Sequence, residues 1–120
     1  PGADQRRRAK DFIRSIVDFA GPFGAPAIIG SMQGRSGDGV SREAARGHLA
    51  EALSDLGEHA AEYGVPLLYE PLNRYETDQL NRVDEAANWL RGEAIGNIRL
   101  LCDLFHMNIE EADVPGALRA

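Results

Sequence analysis

The sequence is short of most features that would place it in a special class. Cysteine occurs once, at Cys102, so no internal disulfide can form, and the usage fits a reducing, cytoplasmic setting. No apolar run approaches the roughly 20 residues that span a bilayer. The first residues also lack the apolar core of a secretory signal, so a membrane partner is not expected. Positive charge is in deficit: 13 Lys and Arg stand against 19 Asp and Glu, for a net charge of -6. Binding to a phosphate backbone needs a basic face, so nucleic acid is not expected as a partner either. The one basic cluster, Arg6-Arg7-Arg8 with Lys10, has Asp4 and Asp11 beside it and reads as a solvated helix face. An initiator methionine is missing too. The chain opens Pro1-Gly2-Ala3-Asp4, as though cut from something longer.

What is present is a regular alternation of helix and strand patterns. Asp4 reads as an N-cap, and Ala9, Phe12, Ile13, Ile16, Val17 and Ala20 form one apolar stripe until Gly21-Pro22 stops the helix. Residues 25–31 form a short apolar run, expected to be a buried strand. It leads into a Gly-rich loop, 32–39, which lacks both the Walker Lys-Ser/Thr pair and the GxGxxG spacing. That loop is therefore read as a flexible connection, with Gln33 and Arg35 as lesser candidates for touching a ligand.

Ser41 caps a second helix whose stripe runs from Ala45 through Leu49, Leu53 and Leu56 to Tyr63, with Gly64 as its stop. His48 and His59 fall off the stripe and are expected to face solvent. A second strand, 65–69, follows. Val83, Ala86, Ala87 and Leu90 mark a third helix, with Trp89 packed beside it. Residues 98–104 form a third strand, and the tail from Asp113 opens another helix with Pro115 in its first turn.

This order, α-β-α-β-α-β-(α), argues for parallel strands joined by right-handed helical crossovers. The fold class is α/β. Three strands make a sheet with two unpaired edges, and a complete eight-stranded barrel takes roughly 250 residues. Residues 1–120 are therefore expected to be a single partial (β/α)-barrel segment from a longer chain.

Two of the strands deliver acids. Glu70 follows the second strand and Asp103 ends the third. In a parallel barrel all strand C-termini open on one face, so carboxylates on neighbouring strands converge. Two hard oxygen donors suit Mg²⁺ or Mn²⁺, and an added imidazole shifts the preference toward Mn²⁺, Co²⁺ or Zn²⁺. His106 lies three residues beyond Asp103, and Glu76 six beyond Glu70, close enough for a second ring around a metal-bound ligand. Acids after strands also serve as helix caps or loop acceptors, and pattern alone leaves both readings open.

The wording of two stretches carries more. Residues 70–78, EPLNRYETD, followed by Leu80-Asn81 and later by residues 103–111, DLFHMNIEE, resemble the sugar phosphate isomerase/epimerase family. Its xylose isomerase-like barrel members include ketose 3-epimerases and hydroxypyruvate isomerase. The resemblance implies a TIM barrel in which the three strands are about the third to fifth. It implies Glu70 as a metal ligand that also transfers a proton, Asp103 as a metal ligand, and Glu76 and His106 as contacts to the sugar. It further implies a divalent metal, Mn²⁺ first, with Mg²⁺, Co²⁺ or Zn²⁺ as alternatives. The substrate would be a small sugar or sugar phosphate, with proton transfer next to a ketose carbonyl through a cis-enediolate.

The family's remaining ligands, a histidine and a second glutamate, lie on later strands. These residues alone would then hold half a site, completed by the missing barrel half or within a homo-oligomer. Two other readings stand beside this one. A non-catalytic half-barrel module would use the same residues structurally. An apurinic endonuclease-like barrel acting on DNA would show more His and Cys ligands after the fifth strand and a basic surface, and this chain shows neither.

Overall fold

The computed structural model describes residues 2–119. Helix α1, Ala3–Ala20, begins two residues earlier than expected: Gly2 is the N-cap and Asp4 lies in the first turn. A carboxylate there still complements the helix dipole. The helix tightens into a 3-10 turn at Gly21–Phe23, then the chain enters β1, Ile28–Ile29. After a second 3-10 turn, Ser31–Gln33, helix α2 spans Arg42–Ala61. Its cap is as expected, with the Ser41 hydroxyl accepting from the Ala44 N–H. Gly64 takes φ +71°, a left-handed turn that closes the helix end with little steric penalty only for glycine. Strand β2, Leu67–Tyr69, follows, then α3, Val83–Gly92, β3, Ile98–Leu100, α4, Leu104–Glu110, and α5, Val114–Ala117.

The sheet is parallel, in the order β1-β2-β3. Ile28, Leu68 and Arg99 line up across it, as do Ile29, Tyr69 and Leu100. Side chains alternate faces along a strand. Ile29, Leu67, Tyr69 and Ile98 join Ile13, Val17, Leu49, Leu53, Leu56, Ala60, Ala86 and Leu90 in the buried core, so the helices cover that face. The face carrying Ile28 and Arg99 stays open, and both residues are exposed.

The strands are shorter than the apolar runs that mark them. β1 is a short edge strand, and the Ala27 and Ile29 carbonyls accept from the Leu68 and Glu70 N–H groups of the neighbouring strand. β3 loses its partner once β2 turns away at Pro71. Its last ladder bond runs from the Leu101 N–H to the Tyr69 carbonyl. Asp103 and Leu104 are therefore not strand: Asp103 is the N-cap of α4 and Leu104 its first residue.

Three side chains sit differently from expectation. Phe12 belongs to the apolar stripe of α1 by spacing, yet it is exposed. His59 does not face solvent: it is wedged between α1 and α2, with Nε2 2.6 Å from Asp18 Oδ1, and the Tyr63 hydroxyl donates to the same oxygen at 2.7 Å. Polar partners on the neighbouring helix pull it in, a force the apolar stripe does not register. His48 is half-buried against a cavity of about 470 Å³ between α1, α2 and the Gly-rich loop, which Arg35 also lines. Trp89 packs on the core as expected.

Candidate functional site

The site is built at the C-terminal end of β2. Glu70 still belongs to the sheet through its backbone, whose N–H bonds the Ile29 carbonyl at 3.0 Å. Strand alternation sends its side chain to the open face, on the side of Leu68. Two neighbours hold that strand end. Gln33 is buried and donates from Nε2 to the carbonyls of Gly30 at 2.9 Å and Glu70 at 3.0 Å, while its Oε1 accepts from the Tyr69 hydroxyl. Gly30 contributes by having no side chain: a Cβ there would lie 2.8 Å from Glu70 Oε2.

Asp103 reaches the same place from β3. Its Oδ1 accepts from the Phe105 N–H at 2.8 Å, which caps α4. α4 then turns His106 inward, where it is buried. His106 Nε2 faces Glu70 Oε1 at 3.8 Å. Ligand atoms of Glu70, Asp103 and His106 all fall within 4.8 Å of one another. Glu76 stands further out and is exposed. Its Oε1 is 3.9 Å from His106 Nδ1 and accepts from Asn73 Nδ2 at 3.1 Å.

The loop between β2 and α3 is braced from several sides. The Arg74 guanidinium pairs with Glu110 at 3.0 Å, and Arg82 reaches Glu111 at 3.4 Å. Thr77 Oγ1 donates to the Gly34 carbonyl, and Asp78 accepts from the Ser36 N–H and hydroxyl. The Gly-rich loop is thereby tied to the site rather than free.

Electrostatics single out Glu70. Burial pushes its carboxyl above the ordinary range; the charge of His106 opposes this, and Asp103 and Glu76 add to the rise. A carboxylate that is costly to ionise, beside a second acid and an imidazole, is a site where a cation would offset charge. The two carboxylates are hard oxygen donors that suit a divalent ion, so Glu70 and Asp103 fit a metal of the Mn²⁺ or Mg²⁺ kind, with the His106 imidazole beside it.

All four residues singled out from the sequence, Glu70, Asp103, Glu76 and His106, converge at this end of the sheet, and the first three-way contact excludes only Glu76. Sequence reasoning missed two supports. Gln33 was a candidate for touching a ligand and is instead a buried clamp, for which spacing holds no signal. Asn73 lies inside the 70–78 stretch, with no role attached to it there. Its side chain accepts from the Tyr75 N–H at 3.0 Å, an Asx turn whose Asn-to-Glu76 spacing of three was open to reading.

A parallel sheet with helices on one face, and with acids and a histidine gathered beyond its strand C-termini, defines an α/β protein of the (β/α)-barrel kind. The model of the xylose isomerase-like TIM-barrel family matches residues 1–120, and the chain belongs to that family. It is 32% identical over 116 residues to an L-ribulose 3-epimerase of Mesorhizobium japonicum, covering 93% of this chain and 38% of the relative. It is 35% identical over 99 residues to a probable ketose 3-epimerase of Synechocystis, covering 82% of this chain and 32% of the relative. Among solved structures, a D-psicose 3-epimerase from Clostridium cellulolyticum, determined with D-tagatose, superposes with a TM-score of 0.84 at 25% identity. That match covers 99% of this chain and 43% of the other. The chain thus spans less than half the length of these relatives.

Proposed function

We propose that these residues form part of the active site of a divalent-metal-dependent sugar epimerase of the ketose 3-epimerase kind. The observation that carries this is the convergence of Glu70, Asp103 and His106 within 4.8 Å at the strand ends, in a chain whose relatives invert a carbon next to a ketone. Glu70 and Asp103 would hold the ion, for which Mn²⁺ is the first candidate and Mg²⁺, Co²⁺ or Zn²⁺ the alternatives. When bound, it supplies Lewis-acid polarisation of the carbonyl.

The rest is the work of side chains. Glu70, whose carboxylate is carried to the strand end on the open face, acts as the general base. Its carboxylate takes the proton from the carbon beside the carbonyl and keeps it, leaving a cis-enediolate. His106 and Glu76 hold the oxygens at that end of the sugar, one by donating and the other by accepting. Gln33 and Gly30 keep the Glu70 carboxylate at its post. Inversion requires a proton from the opposite face. That step needs a second acid–base group, which the resemblance leads us to expect on a later strand. The substrate class is a small ketose, free or phosphorylated.

The test is isotope exchange. The full-length gene product, given Mn²⁺ and a ketose such as D-psicose or L-ribulose in D₂O, is expected to place deuterium on the carbon next to the carbonyl. Glu70→Gln should slow this by about 100-fold or more. Exchange at wild-type rate in Glu70→Gln would remove Glu70 as the base. No exchange from any ketose would favour a non-catalytic segment.

A further inference from the structure

Asn73 is almost completely buried, although its amide can make four hydrogen bonds and no part of the proposed reaction needs it. Its surroundings account for each polar atom. Oδ1 accepts from the Tyr75 N–H at 3.0 Å. Nδ2 donates to Glu76 Oε1 at 3.1 Å and lies 2.9 Å from His106 Nδ1. The backbone N–H also points at His106 Nδ1, at 3.1 Å. Its carbonyl accepts from the N–H groups of Glu76 and Thr77.

These contacts determine which way the amide faces. If the amide were turned over, its nitrogen would meet the Tyr75 N–H and its oxygen the Glu76 carboxylate, donor against donor and acceptor against acceptor. The orientation with oxygen toward Tyr75 is the one that satisfies both ends. Two N–H groups of one residue therefore converge on Nδ1 of His106. A ring nitrogen that accepts carries no proton, so in the neutral imidazole the proton sits on Nε2. Nε2 is the atom that faces Glu70.

We propose that Asn73 is a positioning residue that holds His106 as the Nε2–H tautomer and fixes Glu76 beside it. The pair then presents one N–H donor and one carboxylate acceptor to neighbouring oxygens of a ligand. This rests on the sugar-epimerase reading only for what the ligand is, because the tautomer is a property of the ligand-free protein. Two adjacent oxygens of different character, a carbonyl or alkoxide beside a hydroxyl, are what such a pair recognises. The chemistry asks nothing more of Asn73, which touches no reacting atom.

The test is nitrogen NMR of the ¹⁵N-labelled chain without sugar or metal, at mildly alkaline pH where a free imidazole is neutral. His106→Gln identifies the His106 signals among the three histidines. Wild type is expected to show the proton on Nε2 and a bare Nδ1. A proton on Nδ1, or a mixture of tautomers as in a free imidazole, overturns the proposal without any variant. Asn73→Ala removes one of the two donors and is expected to shift the tautomer part of the way toward the free-imidazole mixture, and Asn73→Asp, which also sets a carboxylate oxygen against Nδ1, is expected to shift it further toward the Nδ1–H form. An Asn73→Asp spectrum identical to wild type also overturns it. The sugar reading fails separately: it is lost if no ketose exchanges deuterium, whichever nitrogen of His106 bears the proton.

Discussion

At the scale of single residues, the site is defined by crowding around Glu70. Burial and two neighbouring acids raise its carboxyl, and only His106 works the other way. The same side chain has glycine for a neighbour because nothing larger fits, with Glu70 Oε2 2.8 Å from where a Cβ of residue 30 would stand. Gly30→Ala is expected to displace the carboxylate rather than unfold the chain, because a side-chain end yields more easily than backbone. Cation affinity should fall about 10-fold, the size of effect seen when support around a ligand is disturbed. Calorimetric Mn²⁺ titration of Gly30→Ala beside its thermal melt checks this, and unchanged affinity would show that the close approach does not matter. Acids at strand ends could be read from the sequence because apolar runs stop at them. Gly30 and Gln33 could not, because their importance comes from Glu70, its side chain for one and its carbonyl for the other, 40 and 37 positions away in the chain.

Among the elements, α4 shows how one residue serves two ends. Asp103 caps the helix with one oxygen and belongs to the acid–imidazole cluster. Two substitutions separate these roles. Asp103→Asn keeps an acceptor at the cap and should melt close to wild type, whereas Asp103→Ala loses the cap and about 1 kcal/mol. Both should weaken Mn²⁺ binding. Equal losses of melting temperature in the two variants would mean the cap contributes nothing. α4 itself was hidden in the sequence: at seven residues it is too short to show a period, and its Asp cap continues an apolar run that reads as strand. The longer helices were legible because their stripes span several turns and Ser41 and Gly64 mark their limits.

The braced loop adds a pH dependence at the same scale. Hydrogen bonds from the Ser36 hydroxyl and N–H hold the Asp78 carboxyl below its usual range, against a smaller opposing effect of burial. A folded-state pKa lower than the unfolded one means the unfolded chain binds the proton more readily. The stabilisation is then in place above the unfolded value and is lost as pH falls through the folded one. Asp78→Asn should melt below wild type at neutral pH and converge with it in acid, as followed by thermal melts across pH. A constant gap at every pH would assign the loss to packing instead.

Across the whole molecule, helices cover one face of the sheet while the other, with Ile28 and Arg99, is open and continuous with the site. Phe19 and Phe23, 78% and 80% exposed, lie on α1 and the turn after it, with their rings 6.2 Å apart. The alternation of helix and strand revealed this architecture early, since parallel pairing follows from the order of elements. Edge effects set the true strand lengths, and they depend on which strands lie beside which, information no local pattern holds. No helix among the described residues is long and apolar enough to cross a membrane.

The central claim is that carboxylates carried to adjacent strand ends form a cation site. Mn²⁺ titrated calorimetrically into wild type and into Glu70→Gln tests it most directly. The account predicts saturable binding of one ion per chain to wild type and its loss in Glu70→Gln, with the variant still folded by circular dichroism. Equal Mn²⁺ binding by the two proteins would contradict it.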